Sequence, residues 1–297
     1  NLTTLTCNNN YMLTSLNLSG LDKLETVSCY ACSLSELNLD GCMSLKNLDC
    51  SENMELSTVN FPESLASLNC SGCAFAEVDA SKLPNVTDLH CNNNQITKLD
   101  LSAMEGLLAL DCGDNAITKL DFSHNKKIAD VVLKNNPIET GITFKDANDL
   151  RYVSVDGTKL SVEALNELYM SLRQKREEDD NNDLGGLLLF NNVENDLAKQ
   201  SATKIATDKG WMVTVEGNGT TGIGKETEIN EPAITETAYG VEINGINGMA
   251  QAVTVYNIDG KLTDIVPVKD HKASIEIQGR GTYIIAAKGM KAVKYRK

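Results

Sequence analysis

Apolar residues in the first half of the chain return at a fixed interval. The stretch 86–106, VTDLHCNNNQITKLDLSAMEG, shows the unit, with a front half of the form L-x-x-L-x-C-x-x-N and a back half of the form I-x-x-L-x-L. Copies begin at Leu2, Leu24, Leu45, Leu65, Val86, Leu107, Ile128 and Leu150, spaced 22, 21, 20, 21, 21, 21 and 22 residues apart. A period this steady, with the same residue types at the same phase, predicts a stacked solenoid. The fourth and sixth positions of each copy are apolar and the fifth is polar, which is the alternation of a short strand with one buried face. Stacking the copies sets these strands side by side in a parallel sheet, about 4.8 Å apart.

The ninth position holds Asn10, Cys32, Asn53, Cys73, Asn94, Asn115, Asn136 and Thr158. A buried amide is costly unless its polar atoms are bonded. These Asn side chains are therefore expected to bond the backbone of the turn that leaves the strand, in their own coil and the next. Three back-half columns, running from Leu13 to Ile138, Leu16 to Ile142 and Leu18 to Phe144, close the core from the other side. The back half is too short for a long helix, so extended or single-turn structure is expected there. The chain starts inside a copy, with no polar cap ahead of Leu2. Solenoids need such caps, and a natural N-terminus is expected to lie upstream.

Helical spacing appears at 160–176, with Ser161 as the expected N-cap and Glu163 in the first turn. After a charged loop, Leu184 to Asn192 matches L-x-x-L-x-L-x-x-N and predicts a ninth coil. A second helix is expected over about 193–207 and a short strand over 211–215. Together, residues 160–217 form a helix-containing C-terminal cap. The polar stretch 218–238 is expected to be a linker. It contains Gly219 to Lys225, which fits the G-x-x-x-x-G-K of a phosphate-binding loop. Glu226 stands where Ser or Thr must hold magnesium and Pro232 follows where a helix must begin, so this match is rejected. From Tyr239 onward, short alternating runs separated by turns at Gly260, Gly279 and Gly289 predict a small antiparallel sandwich.

The unit L-x-x-L-x-L-x-x-N/C resembles the leucine-rich repeat family. Its 21-residue form with Cys at position six is similar to the cysteine-ladder repeats of internalin-type bacterial surface proteins. The resemblance covers about half the chain. It implies a curved, right-handed solenoid with its sheet on the concave face, partner binding on that face and no catalysis. Near the C-terminus, Val253 to Lys261, Gly279 to Ile285 and the basic end Lys291 to Lys297 resemble the C-terminal sorting domain of Por-type (type IX) secretion. That resemblance implies a secreted or cell-surface bacterial protein. The common Pro-Asn-Pro opening of such domains is absent here. The expected fold is thus an α/β leucine-rich repeat solenoid over 1–217, with a parallel sheet and few helices, then the linker 218–238 and a small all-β antiparallel sandwich over 239–297.

The charge balance of 27 basic against 41 acidic residues, −14 net, disfavours a nucleic-acid partner. The charge is uneven: residues 239–297 hold 9 basic and 5 acidic residues, +4, and the remainder 18 and 36, −18. No run of 18 apolar residues is present to span a membrane. Of the nine cysteines, Cys7, Cys29, Cys50, Cys70, Cys91 and Cys112 share position six, Cys32 and Cys73 share position nine, and Cys42 stands apart. Stacked side chains point the same way, which argues against disulfides between coils. Cys29-x-x-Cys32 and Cys70-x-x-Cys73 suggest zinc by spacing, but repeat phase already explains all four residues as buried, reduced thiols. No cofactor is implied.

Positions three, five and seven of each strand point away from the core. The ligand-binding residues expected on this concave face are Tyr30, Asp49, Asn69, Asp88, His90, Asp111, Asp130 and Tyr152. Asp88, His90, Asp111 and Asp130 form an acidic cluster across coils five to seven, with Asp114 on the rim, suited to a basic patch, a cation or a glycan. His90 beside Asp111 resembles an acid–base pair, but no nucleophile elbow, metalloprotease or triad spacing accompanies it. The expected function is a non-catalytic secreted or surface protein that recognises a protein or glycan. The alternative is a structural spacer whose C-terminal sandwich does the binding or attachment.

Overall fold

The computed structural model describes residues 1–181, 186–191 and 197–214, and, further on, 233–236, 240–244, 252–257, 262–267, 272–276, 282–287 and 293–296. The chain divides into two compact units, Asn1–Gln174 with Leu189–Val215, and Lys175–Leu188 with Glu216–Lys297.

The repeats form β1 (Thr4–Thr6), β2 (Ser15–Asn17), β3 (Thr26–Ser28), β4 (Glu36–Asn38), β5 (Asn47–Asp49) and β6 (Ser67–Asn69). They continue as β7 (Asp88–His90), β8 (Ala109–Asp111), β9 (Asp130–Val132) and β10 (Tyr152–Ser154). The cap adds β11 (Leu187–Phe190) and β12 (Trp211–Thr214). A ten-stranded sheet runs in the order β1-β3-β5-β6-β7-β8-β9-β10-β11-β12. Pairing from β1 to β10 is parallel and in repeat phase, as in Leu5↔Val27, Leu68↔Leu89 and Leu89↔Leu110. On the back, β2 and β4 make a two-stranded parallel sheet, and Ala80–Lys82 is a single helical turn. The core between front and back is the repeat's own apolar set, including Leu24, Leu45, Leu65, Leu89 and Ile117. Phe61 packs on Phe75 at 5.8 Å and Phe122 on Phe144 at 4.9 Å.

The ninth-position amides hold this stack together. Asn53 Nδ2 donates to the carbonyls of Cys50 and Ser51 in its own coil and of Cys29 in the preceding one, while its Oδ1 accepts from Leu34 N–H. Asn94, Asn115 and Asn136 repeat the pattern one coil at a time. The partners thus lie in the preceding coil, not the next, because the amide reaches back under the strand it follows. At the same position, Cys32 donates to Cys7 O and Cys73 to Cys50 O. A thiol keeps the donor role and loses the acceptor.

Position eight, just before the amide, is left-handed in coils one to eight: Asn9, Ala31, Glu52, Gly72, Asn93, Asp114, Asn135 and Gly157 have φ between 51° and 65°. This reverses the chain immediately after the strand. The column is mostly Asn, Asp and Gly, the residues that reach this region at least cost, whereas Ala31 and Glu52 are strained.

In the cap, the helix α1 (Val162–Ser171) is N-capped by Ser161 Oγ, which accepts from Ala164 N–H at 3.2 Å. Its other end is closed by Lys209, whose Nζ donates to the carbonyls of Tyr169, Met170 and Leu172. Such a cation also suits the negative end of the helix dipole. The second helix is broken into two single turns, α2 (Leu197–Gln200) and α3 (Lys204–Thr207). Between them, Ala202 N–H donates to Asn166 Oδ1 instead of continuing a ladder. The ninth coil also departs from expectation. Val155 N–H bonds Phe190 O, which sets Phe190 level with Ser154 at position five and shifts the register by two residues from the L-x-x-L-x-L match. Asn191, not Leu189, therefore takes position six, and its amide bonds the buried Tyr169 hydroxyl.

In the second unit, β13 (Ala233–Glu236), β14 (Gly240–Asn244) and β17 (Lys272–Glu276) form a three-stranded antiparallel sheet in the order β13-β14-β17. A four-stranded sheet, β16-β15-β18-β19, uses β15 (Ala252–Asn257), β16 (Leu262–Pro267), β18 (Thr282–Ala287) and β19 (Val293–Arg296). Val241, Ile243, Val253, Val255, Ile275 and Ile285 share one buried apolar cluster. The expected linker therefore ends early, because Ala233–Glu236 pairs antiparallel with β14 across a short connection, Glu236↔Val241. The phosphate-loop match at 219–225 and the three predicted C-terminal turns lie outside the described residues.

Three substitutions test the turn chemistry. Asn53→Ala is expected to lower stability by about 2–4 kcal/mol, read as the urea unfolding midpoint, since it orphans several buried backbone groups at once. Asn53→Cys should cost less, because Cys32 and Cys73 already serve at this position. Ala31→Asn is expected to raise stability by about 0.5–1 kcal/mol in the same assay, through relief of left-handed strain.

Candidate functional site

The outward face of the main sheet is built from strand positions three and five. Its accessibility falls along the stack. Both positions are exposed in β1 and at least partly exposed in β3, β5, β6 and β7. In β8 and β9 position five is buried, and in β10 both are buried.

Register brings His90 directly between Asn69 and Asp111, and Asp88 between Ser67 and Ala109. His90 is exposed, and one carboxylate oxygen of Asp88 accepts from Thr87 Oγ1 at 2.6 Å. Other predicted residues are occupied by the scaffold. Asp49 Oδ1 accepts from Ser51 N–H and Oγ, and Asn69 Oδ1 accepts from Ser71 N–H and Oγ. Asp111 Oδ1 likewise accepts from Gly113 N–H at 3.0 Å. Each is an Asx turn that starts the chain's exit from the strand. Tyr30 N–H donates to Asn8 Oδ1, and its hydroxyl accepts from Asn9 Nδ2 across the coil.

Three expectations change. Asp111 is 6% exposed rather than open. The stem of Lys134 lies over Gly113 beside it, so close that a Cβ on Gly113 would stand 2.7 Å from Lys134 Cγ. Tyr152 is also 6% exposed, with its ring against Phe190 at 5.4 Å. Asp130 is not a free carboxylate, because Arg151 Nε and Nη2 donate to its two oxygens at 3.0 and 2.8 Å. Asp114 on the rim pairs with Lys134 at 3.3 Å and accepts from Asn135 Nδ2. The four-residue acidic cluster therefore reduces to an accessible His90–Asp88 pair flanked by neutralised or buried acids. Arg151 was the missed partner. It stands 21 residues after Asp130, which places it one coil later and beside it. The recurring pattern of Asp or Asn followed two residues later by Ser could have revealed the turns. It also occurs on the back, at Asn17/Ser19, Asp100/Ser102 and Asp121/Ser123. At Asp100 and Asp121 the Ser backbone N–H bonds hold the carboxyl below its usual range.

The sixth-position thiols stack inside the solenoid. Burial pushes Cys29, Cys50, Cys70, Cys91 and Cys112 up, well beyond the ordinary thiol range, and takes Cys73 to about 11. Cys7 is the one thiol of the nine that is not buried. Cys32 and Cys73 point their sulphurs at backbone carbonyls, not at their CxxC partners. Among the described residues, no group of three or more His, Cys, Asp or Glu is placed to hold a metal ion. No helix among them is long and apolar enough to cross a membrane.

Fold and site together define a class: a leucine-rich-repeat-like solenoid with a cysteine ladder under a mostly parallel sheet. Among solved structures, the functional domain of InlJ from Listeria monocytogenes, described as including a cysteine ladder, is similar to this chain. The two share 17% identity with a TM-score of 0.51, over 99% of this chain and 67% of that one. At this identity the likeness is one of fold. The chain matches no protein-family model, and no curated protein matches it.

Thiol accessibility tests the ladder. At pH 8, iodoacetamide is expected to modify Cys7 on the folded protein and to leave the other eight thiols unmodified until denaturant is added, as read by intact mass. Burial also raises Cys7 somewhat, but its sulphur is accessible, whereas Cys50, Cys70 and Cys91 are both enclosed and pushed far up, so moving to pH 9 should not bring them into reaction.

Proposed function

We propose that the chain is a non-catalytic secreted or cell-surface protein of bacterial type that recognises a protein or glycan on the outward, concave face of its solenoid sheet. The observation that carries this reading is the contrast along that face, polar and accessible from β1 to β7 and closed at β10. An accessible polar strip on a rigid repeat suits a broad partner, because its side chains are fixed before contact and little ordering is needed on binding. Thr26, Asn47, Ser67, Asp88 and His90 lie along it, and the Asx-turn residues Asp49 and Asn69 hold its shape. Likeness in fold to the InlJ domain supports the same reading.

The two C-terminal sheets are read as a small sandwich for export or attachment. A second reading makes the solenoid a spacer and these sheets the binding module. The charge contrast favours it: residues 239–297 carry 9 basic and 5 acidic residues within a chain of −14.

The test is a screen of the full chain against glycan arrays and surface-protein panels, repeated with an Asn47→Ala/Asp88→Ala/His90→Ala variant. These side chains make no core contacts, so the variant is expected to fold. Loss of at least ~10-fold in affinity supports the sheet face, as removal of central contact residues does in characterised interfaces. A hit that binds the variant as tightly as the parent rejects that face and moves binding to the C-terminal sheets.

A further inference from the structure

We infer that the back of the solenoid carries a second binding site, an open strand edge at β4 that takes an extended peptide bearing lysine or arginine. On this face, neighbouring coils are normally stitched by backbone hydrogen bonds. Coils one and two are joined through β2 and β4, with Leu18 N–H on Asn38 O at 2.9 Å and Gly20 N–H on Asp40 O at 2.8 Å. Ala74 N–H bonds Leu56 O between coils four and three, and Gln95 N–H bonds Phe75 O between coils five and four. Between coils two and three that stitch is missing, and β4, the last strand of its two-stranded sheet, has no partner on its outer side: no backbone hydrogen bond links 36–40 to 58–61, as none links 98–102 to 119–123 further along.

The sequence accounts for the break. The third coil is the shortest, at 20 residues. It has one more residue between Asn53 and Leu56 than the second coil has between Cys32 and Leu34. It also has only Pro62, Glu63 and Ser64 between Phe61 and Leu65, where the second coil has Asp40 to Ser44 between Leu39 and Leu45. The first coil has the same spacing from Asn10 to Leu13 and still pairs with β4, so the shortened return through 62–64 is what sets the third coil apart. Phe61 turns to the fourth coil, onto Phe75. An open groove of about 640 Å³ runs across the back of the first three coils here, lined by Ser15–Asn17 of β2, by Ser35–Asp40 around β4, and by Thr58, Val59 and Asn60 of the third coil. That volume is within the range of ligand clefts.

The groove's chemistry points to its occupant. Asn38 and Asp40 turn their carbonyls toward the first coil, so strand alternation directs the Leu37 N–H and C=O into the groove. Native sheets blunt such edges with short strands, charge, proline or a bulge; β4 has only its short length and Glu36, and no lysine, proline or bulge. An added strand would satisfy this edge through its backbone. Glu36 and Asp40 are the only charged side chains lining the groove, both are exposed, and no described cation pairs with either. The complementary side chain is therefore a cation.

The probe is a fluorescein-labelled heptapeptide alternating valine and lysine, titrated by anisotropy into the full chain at ~0.15 M salt, where long-range attraction to the acidic surface is screened. Saturable binding is expected. It should weaken at least 10-fold when the peptide's alternate amides are N-methylated, and likewise in the Glu36→Lys/Asp40→Lys variant, whose surface changes leave the core untouched. It should be unchanged in the Asn47→Ala/Asp88→Ala/His90→Ala variant, which separates this site from the sheet-face reading. No saturation below about 1 mM peptide, equal binding of the N-methylated peptide, or loss in the sheet-face variant would overturn the inference.

Discussion

A side-chain amide that bonds the backbone of two coils at once is the interaction on which the rest of the solenoid depends. At Asn53 it satisfies three carbonyls and one N–H, all where the chain leaves the strand and the ladder can no longer serve them. The strands are only three residues long. Strands this short supply few hydrogen bonds of their own, and a buried polar group left unpaired costs roughly 1–3 kcal/mol. The amide ladder fixes the distance and phase between coils, and the sixth-position thiols fill what little volume remains above it. Cysteine suits that place because it is small, apolar when protonated and kept protonated by burial.

The turn chemistry also constrains what the sheet can offer a partner. The chain leaves each strand through a left-handed residue at position eight. In several coils the acid or amide at position five steadies this exit by accepting from position seven. Such a side chain has one polar atom committed before any ligand arrives. This explains why a face rich in Asp and Asn is less reactive than its composition suggests, and why His90, Asp88 and Asn47 contribute more accessible chemistry than Asp111 or Asp130. Toward the cap, aromatic and aliphatic groups replace polar ones. Tyr152 against Phe190 turns the surface into core.

Most of the solenoid was legible because its period is a sequence property. The apolar columns, the strand positions and the parallel pairing all follow from phase. The register beyond coil eight was not. Leu187, Leu188, Leu189 and Phe190 are all apolar, so alternation could not choose between two frames, and the bond from Val155 N–H to Phe190 O decided it. The candidate site was legible only as placement. Repeat phase set His90 beside Asp111 correctly but carried no information on burial. The burial of Asp111 depends on the Lys134 stem, and the neutralisation of Asp130 depends on Arg151 one coil away. Both are contacts between positions that the repeat pattern treats as unrelated solvent sites. Position eight was visible as a column of Asn, Asp and Gly, with Ala31 and Glu52 obscuring it.

In a perfect stack every coil meets an identical neighbour, and each backbone group on either flank finds the same partner. On the back this regularity is looser, and the outer side of β4 is one place where bonding capacity is left, beside the third coil. Its altered spacing keeps the front sheet continuous, because Asn47↔Ser67 and Leu48↔Leu68 still pair in phase. The error is absorbed on the back, where β4 loses its next neighbour and Phe61 turns to coil four. A solenoid tolerates such a defect because each coil depends mainly on its immediate neighbours. The ninth-position bond, donated by Leu34 N–H to Asn53 Oδ1, still ties coil three to coil two beneath the gap. An open strand edge is thus held at low cost in a rigid frame.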